Sequence, residues 1–266
     1  VVALAGLIFL AACEKNTDGN SSKYAAKGAY SDHDHEDKSI GQHSHSAAGI
    51  AGPGTNFAEN DLAYLTQLGL MRGHLYIGYQ LYREGYIEHA KTHMKHPKSE
   101  LYTSMVSAFS ARGTNGFADE LEKLALAVEG EAEQAAVDGA YEALTYGITM
   151  NESVVAKDAA SLRERLKLAS KLLLVAGEEY AIAVVEGEMK NAHEYQDALG
   201  FTYTAKRTIS SAIVKDDGEK ALMEQAIALL ETLDPLWPSV YPPDTLSTEA
   251  GEIYVIAEDI GRLASK

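Results

Sequence analysis

From Phe57 to the C-terminus the apolar residues recur at helical spacing, and this limits the chain to a helical architecture. Leu162, Leu166, Ala169, Leu173, Ala176, Tyr180 and Ala183 step by three and four and so line one stripe of a long helix. Leu62, Leu65, Leu68, Leu75 and Leu81 mark a similar stripe ahead of Gly85. Along the chain stand Gly85, Gly130, Gly187, Asp216-Asp217-Gly218, Trp237-Pro238 and Pro242-Pro243, all breakers or turn formers. The pattern predicts helices over 59–84, 86–96, 98–111, 117–129, 131–146, 158–185, 191–214, 219–233 and a last one, capped within 244–248, reaching 263. Connections this short favour antiparallel neighbours. The fold class expected is all-α, an up-down helical bundle of seven to nine helices over 57–266, with no domain boundary inside it.

The N-terminal part reads differently. Residues 1–12 are an uncharged apolar run, too short for an ordinary membrane span, ending Leu10-Ala11-Ala12-Cys13. Small residues directly before a cysteine resemble the bacterial lipoprotein signal. Residues 1–13 are therefore expected to be a lipoprotein signal and lipobox, with Cys13 as the lipidation site. No initiator Met or basic segment precedes the run, so the true start is expected upstream. The protein is expected to sit on the periplasmic side of a bacterial membrane, or at the cell surface, anchored by acyl chains. Residues 14–56 are polar, rich in Gly and Ser and poor in large aliphatics, so they are expected to form a disordered tether of roughly 35–40 Å reach. His33, His35, His43 and His45, interleaved with acids, make it a candidate collector of metal ions.

Charge and cysteine usage exclude several classes. A net charge of −16 argues against nucleic acid as a partner, since neutralising phosphates needs clustered Lys and Arg. A single cysteine excludes an internal disulfide framework and a multi-cysteine zinc site. Phosphate loops and nucleophile elbows are missing, and no serine has a local triad partner, so nothing nominates an enzyme.

The candidate chemistry lies in two stretches. Met71 to Pro97 holds His74, His89, His93 and His96. On a helix His93 falls about 40° from His89, and His96 about 20° to the other side. One edge thus carries three imidazoles, well away from the apolar positions Ile87, Ala90 and Met94. His89 and His93 are the expected central pair, with His74 as third ligand, while Pro97 is expected to end the helix at His96. The same stretch resembles a single tetratricopeptide-type hairpin, without a second copy at that period. The other stretch, Tyr180 to Phe201, gathers Glu186, Glu188, His193, Glu194 and Asp197 around a helix–turn–helix. Asn191 and Glu194 have capping-box spacing, so Glu194 is assigned there first. Glu186, Glu188, His193 or Asp197 is expected to complete a metal shell if the long helices pack across the hairpin.

Val184, Gly187, Met189, Asn191, Glu194, Tyr195, Gln196 and Asp197 follow an order that resembles a motif in helical periplasmic domains attached to FTR-type iron permeases. The resemblance covers about twenty residues and implies a role in iron uptake beside an envelope transporter. The permease's own membrane helices and Arg-Glu-x-x-Glu motif are absent, so the chain is not the channel. The histidine-bearing bundle also resembles imelysin-like periplasmic iron proteins, but their Gly-x-His-x-x-Glu motif is unmatched, since Ile77 stands where the glutamate would be. Two functions are therefore weighed: a membrane-anchored lipoprotein handling iron, copper or zinc, or a metal-free helical interaction module that uses its hairpin to bind another protein.

Overall fold

The computed structural model describes residues 55–246 and 249–266, the side chains of His96 and Glu100 excepted. Cys13, the lipobox and nearly all of the expected tether lie outside the described residues. Among these, nine α-helices form the bundle: α1 (Asp61–Glu84), α2 (Ile87–Pro97), α3 (Thr103–Ala111), α4 (Ala118–Glu129), α5 (Gln134–Glu152), α6 (Leu162–Ala183), α7 (Ala192–Ser210), α8 (Asp217–Glu231) and α9 (Gly251–Leu263). The expected all-α bundle is what the chain forms.

Helix α1 is the centre and, at 24 residues, the longest, exceeding the 22 of α6. It is buried without interruption from Ala63 to Leu75, polar residues included. A helix enclosed on all sides must place its polar groups against polar partners, because an unmatched buried dipole costs more than it returns. Asn60 starts it by accepting the Ala63 amide, and Gly85 ends it at φ 87°, a left-handed turn natural for glycine. The chain then folds back as α2 along α1.

Two boundaries differ from expectation. Helix α2 does not stop at His96. Pro97 keeps a helical φ of −58°, and the chain runs on through a π-helical turn, Lys98–Tyr102, where the Thr103 amide bonds the Lys98 carbonyl, into α3. Proline supplies no N–H to the ladder, yet its fixed φ suits a helix, and the residue before it is only disfavoured from the helical basin. At the other break, α6 ends at Ala183 rather than Val185. Val184–Val185 (β1) and Glu188–Met189 (β2) pair antiparallel around Glu186 at φ 53° and Gly187 at φ 77°. Two consecutive positive φ angles are the signature of a type I′ hairpin, which sends α7 back along α6.

The start of α7 is set by Asn191, whose Oδ1 accepts the amides of His193 (3.0 Å) and Glu194 (3.5 Å). The Asn191 amide bonds the Ala183 carbonyl, and its side-chain Nδ2 reaches Glu194 Oε1 at 3.5 Å. Asn191→Ala should lower stability by about 1 kcal/mol in urea unfolding. No change at all would mean that the hairpin alone holds this helix start.

Candidate metal centre

Two glycine crossings bring three helices together. Where α1 crosses α7, Gly73 faces Gly200, and a Cβ built on Gly200 would lie 2.5 Å from the Gly73 carbonyl oxygen. Only glycine at Gly200 lets the backbones approach this closely, and the crossing lies beside His74 and one turn from Asp197. Where α1 meets α2, Gly78 receives Met94 and His93, whose Cβ would stand 3.1 Å from an added methyl.

The result is a buried carboxylate surrounded by imidazoles. Asp197 is fully buried, and His74 and His93 are at most 1 % exposed. His74 Nδ1 is 2.5 Å from Asp197 Oδ1, and His93 Nδ1 is 3.3 Å from the same oxygen. His193, one turn ahead of Asp197 on α7, places Nε2 3.5 Å from Oδ2. Its ring stacks on His93 with centroids 4.1 Å apart, while Phe201 closes the site edge-on to His74 at 5.0 Å. Burial pushes the Asp197 carboxyl up, but the charges of His74, His193 and His93 and the His74 hydrogen bond outweigh it. The carboxyl is held well below the usual carboxylate range.

Gln196 decides which nitrogen of His93 faces the carboxylate. Its amide NH2 donates to the Val240 carbonyl (3.3 Å), turning Oε1 towards His93 Nε2 at 3.0 Å. His93 therefore donates Nε2–H, and its neutral form presents the Nδ1 lone pair to Asp197. That lone pair and Asp197 Oδ1 are both acceptors. At 3.3 Å they need a cation between them, either a proton on Nδ1 or a metal ion.

The donor set fits a transition metal. Ligand atoms of His74, His93 and Asp197 all lie within 4.8 Å of one another. Two imidazoles and one carboxylate are the donors of Fe(II) sites, and they also suit Zn(II). Ligands at 2.0–2.2 Å from one ion sit about 3–3.5 Å apart, which the His93–Asp197 spacing meets. The His74–Asp197 pair is closer than that, and its two side chains would have to part slightly to hold an ion with His93.

The other sequence candidates are placed elsewhere. The expected central pair is not brought together: His89 is half-buried, with its ring edge-on to Tyr241 at 5.2 Å, and it meets the cluster through Gln196. Burial and the charge of His93 lower its pKa, against the Gln196 hydrogen bond. The reason is helix geometry: His93 points into the seam with α7, and a residue one turn earlier reaches the Tyr241 segment instead. Glu186 is exposed at the tip of the hairpin turn, and Glu188 is exposed and paired with Lys190, so neither joins the cluster. The His96 side chain lies outside the described residues. Glu194 is buried beside its cap, and Tyr195 is wholly buried with its hydroxyl bonding the Leu236 and Ser239 carbonyls.

The residue missed by sequence reasoning is Gln196, which orients His93. A signal for it exists in the sequence, since it stands next to Asp197 on a helix whose capping fixes which face turns inward. Among the described residues no helix is long and apolar enough to cross a membrane.

No curated protein and no solved structure matches the chain. Residues 156–266, which comprise α6 to α9 and with them His193, Gln196 and Asp197, match the family model of the iron permease-associated 4-helix bundle domain.

Proposed function

We propose that the protein handles a transition metal, iron foremost, at the bacterial cell envelope, with His74, His93 and Asp197 holding the ion as cargo and His193 beside them. The observation that carries this reading is the pair of acceptors, His93 Nδ1 and Asp197 Oδ1, turned towards each other in a buried site. The iron permease-associated family match favours iron over copper or zinc, and a permease as the partner. In this reading a lipid anchor at Cys13 keeps the protein at the membrane while the tether histidines gather ions for the bundle.

A second reading is supported by the 2.5 Å contact of His74 with Asp197. There the protons themselves are the cations, and the cluster is a buried hydrogen-bonded lock between α1, α2 and α7. A partner-binding hairpin has less to recommend it, because His74 and His93 are buried against side chains of α7.

Anaerobic titration of the full chain with Fe(II), and in parallel with Zn(II), separates the two. The metal reading expects one tight site per chain above the weak tether binding. That site should weaken at least a hundredfold in the double variant His74→Ala/His93→Ala, and its affinity should fall with falling pH as protons compete with the ion for the ligands. Saturating metal at a hundred times Kd should add about 2.7 kcal/mol of stability. A folded double variant with the wild-type stoichiometry and affinity would leave the lock as the better reading.

A further inference from the structure

A second polar cavity lies between α1, α5, α6 and α7, separate from the histidine cluster. Its volume is about 160 Å³, and three arginines from three helices line it: Arg72, Arg165 and Arg207. The carboxylate on its wall, Glu152, already accepts from Arg72 Nε (3.2 Å) and Nη2 (3.0 Å). The nearby hydroxyls do not supply the missing negative charge. Thr149 and Thr204 spend their protons on the Thr145 and Gly200 carbonyls. Three guanidinium groups thus face one carboxylate, in a chain whose net charge is −16.

Two of the guanidinium donors are left over. Arg72 is 2 % exposed, and its Nη1 is buried without a hydrogen-bond partner; the same holds for Arg165 Nε. A buried charged donor left unmatched is costly, and arranging two of them around one cavity is costlier still. The strain shows at Arg165: burial lowers its pKa, and the charges of Arg207 and Arg72 add to this against the attraction of Glu152. An anion in the cavity removes these costs together.

We propose that this cavity is a binding site for a small dianionic oxyanion of the phosphate type, gripped by Arg72, Arg165 and Arg207. The excess of two positive charges matches a dianion. Donors arriving from three helices match an ion with oxygens on several sides, whereas a monocarboxylate offers two oxygens in one plane. The volume holds such an ion, since a water occupies about 30 Å³.

Calorimetric titration of the full chain at constant ionic strength tests this, with inorganic phosphate, sulfate and acetate as probes. The expected result is one saturable site for phosphate or sulfate, with acetate at least tenfold weaker. Arg165→Gln should lose at least tenfold in phosphate affinity. Its melting temperature without anion should equal or exceed that of the wild type, since the substitution removes an unmatched charge. Arg207→Gln, at an exposed position, is the second variant and carries the same tenfold expectation. The proposal is overturned by the lack of saturable phosphate or sulfate binding, by acetate binding as tightly, or by both variants binding within twofold of the wild type.

Discussion

Replacing Asp197 by asparagine is expected to cost about 3–5 kcal/mol of folding stability at neutral pH, the range for removing one partner of a buried ionic cluster. Asp197 places its carboxylate beside His74, His93 and His193 together, so its loss removes a shared negative partner from three imidazoles at once. The pH dependence carries a sign. The folded carboxyl lies well below its unfolded value: burial alone would raise it, and the three histidines and the His74 hydrogen bond pull it down further. Its stabilisation is therefore fully present above about pH 3.9 and is lost as pH falls through the folded value. Urea unfolding of wild type and Asp197→Asn at stepped pH should show a constant gap near neutrality that closes only in strong acid. A gap below about 1 kcal/mol at pH 7 would show that the cluster is not an ionic one.

Gly200→Ala is expected to be nearly as damaging with no charge involved. The new methyl would meet the Gly73 carbonyl oxygen at 2.5 Å and Ile77 Cγ1 at 2.8 Å. Backbone cannot rotate away as a side chain can, so α1 and α7 must separate, at a cost of about 2–4 kcal/mol. That separation would also pull His74 from Asp197, so metal affinity should fall with stability although no ligand is altered. Gly139→Ala in α5 is the control. Nothing lies within 4 Å of its added methyl, and helix propensity alone should stabilise the chain there by about 0.5–1 kcal/mol. Equal thermal midpoints for Gly200→Ala and the wild type would mean that the two helices do not cross backbone to backbone.

Much of the candidate site is legible in the sequence. Residue type and spacing single out His74, His93, His193 and Asp197, and the resemblance resting on Val184 to Asp197 falls inside the span that matches the iron permease-associated bundle. The choice of central pair is where spacing misleads. His89 and His93 share a helix edge, but a shared edge does not require a shared target. Spacing also turns the polar edge of α2 to solvent, because a single helix viewed alone has no other place for histidines. In the bundle that edge meets Gln196, Asp197 and His193, so His93 is fully buried.

Local chemistry by itself determined the helices, because propensity, capping and turn residues act within a few positions. The stripe of α6, the Asn60 and Asn191 caps and the left-handed Gly85 are all settled by near neighbours. Which helix lies at the centre was decided only by tertiary packing. The leucine stripe of α1 reads as that of a surface helix, yet its other faces are covered too, because Gly69, Gly73 and Gly78 let α6, α7 and α2 close on it. The same closure joins His74 and His93 to an Asp197 more than a hundred residues away, and it gathers three arginines around one cavity. Such juxtapositions depend on where glycines permit two backbones to touch, a property of helix pairs that no single helix displays.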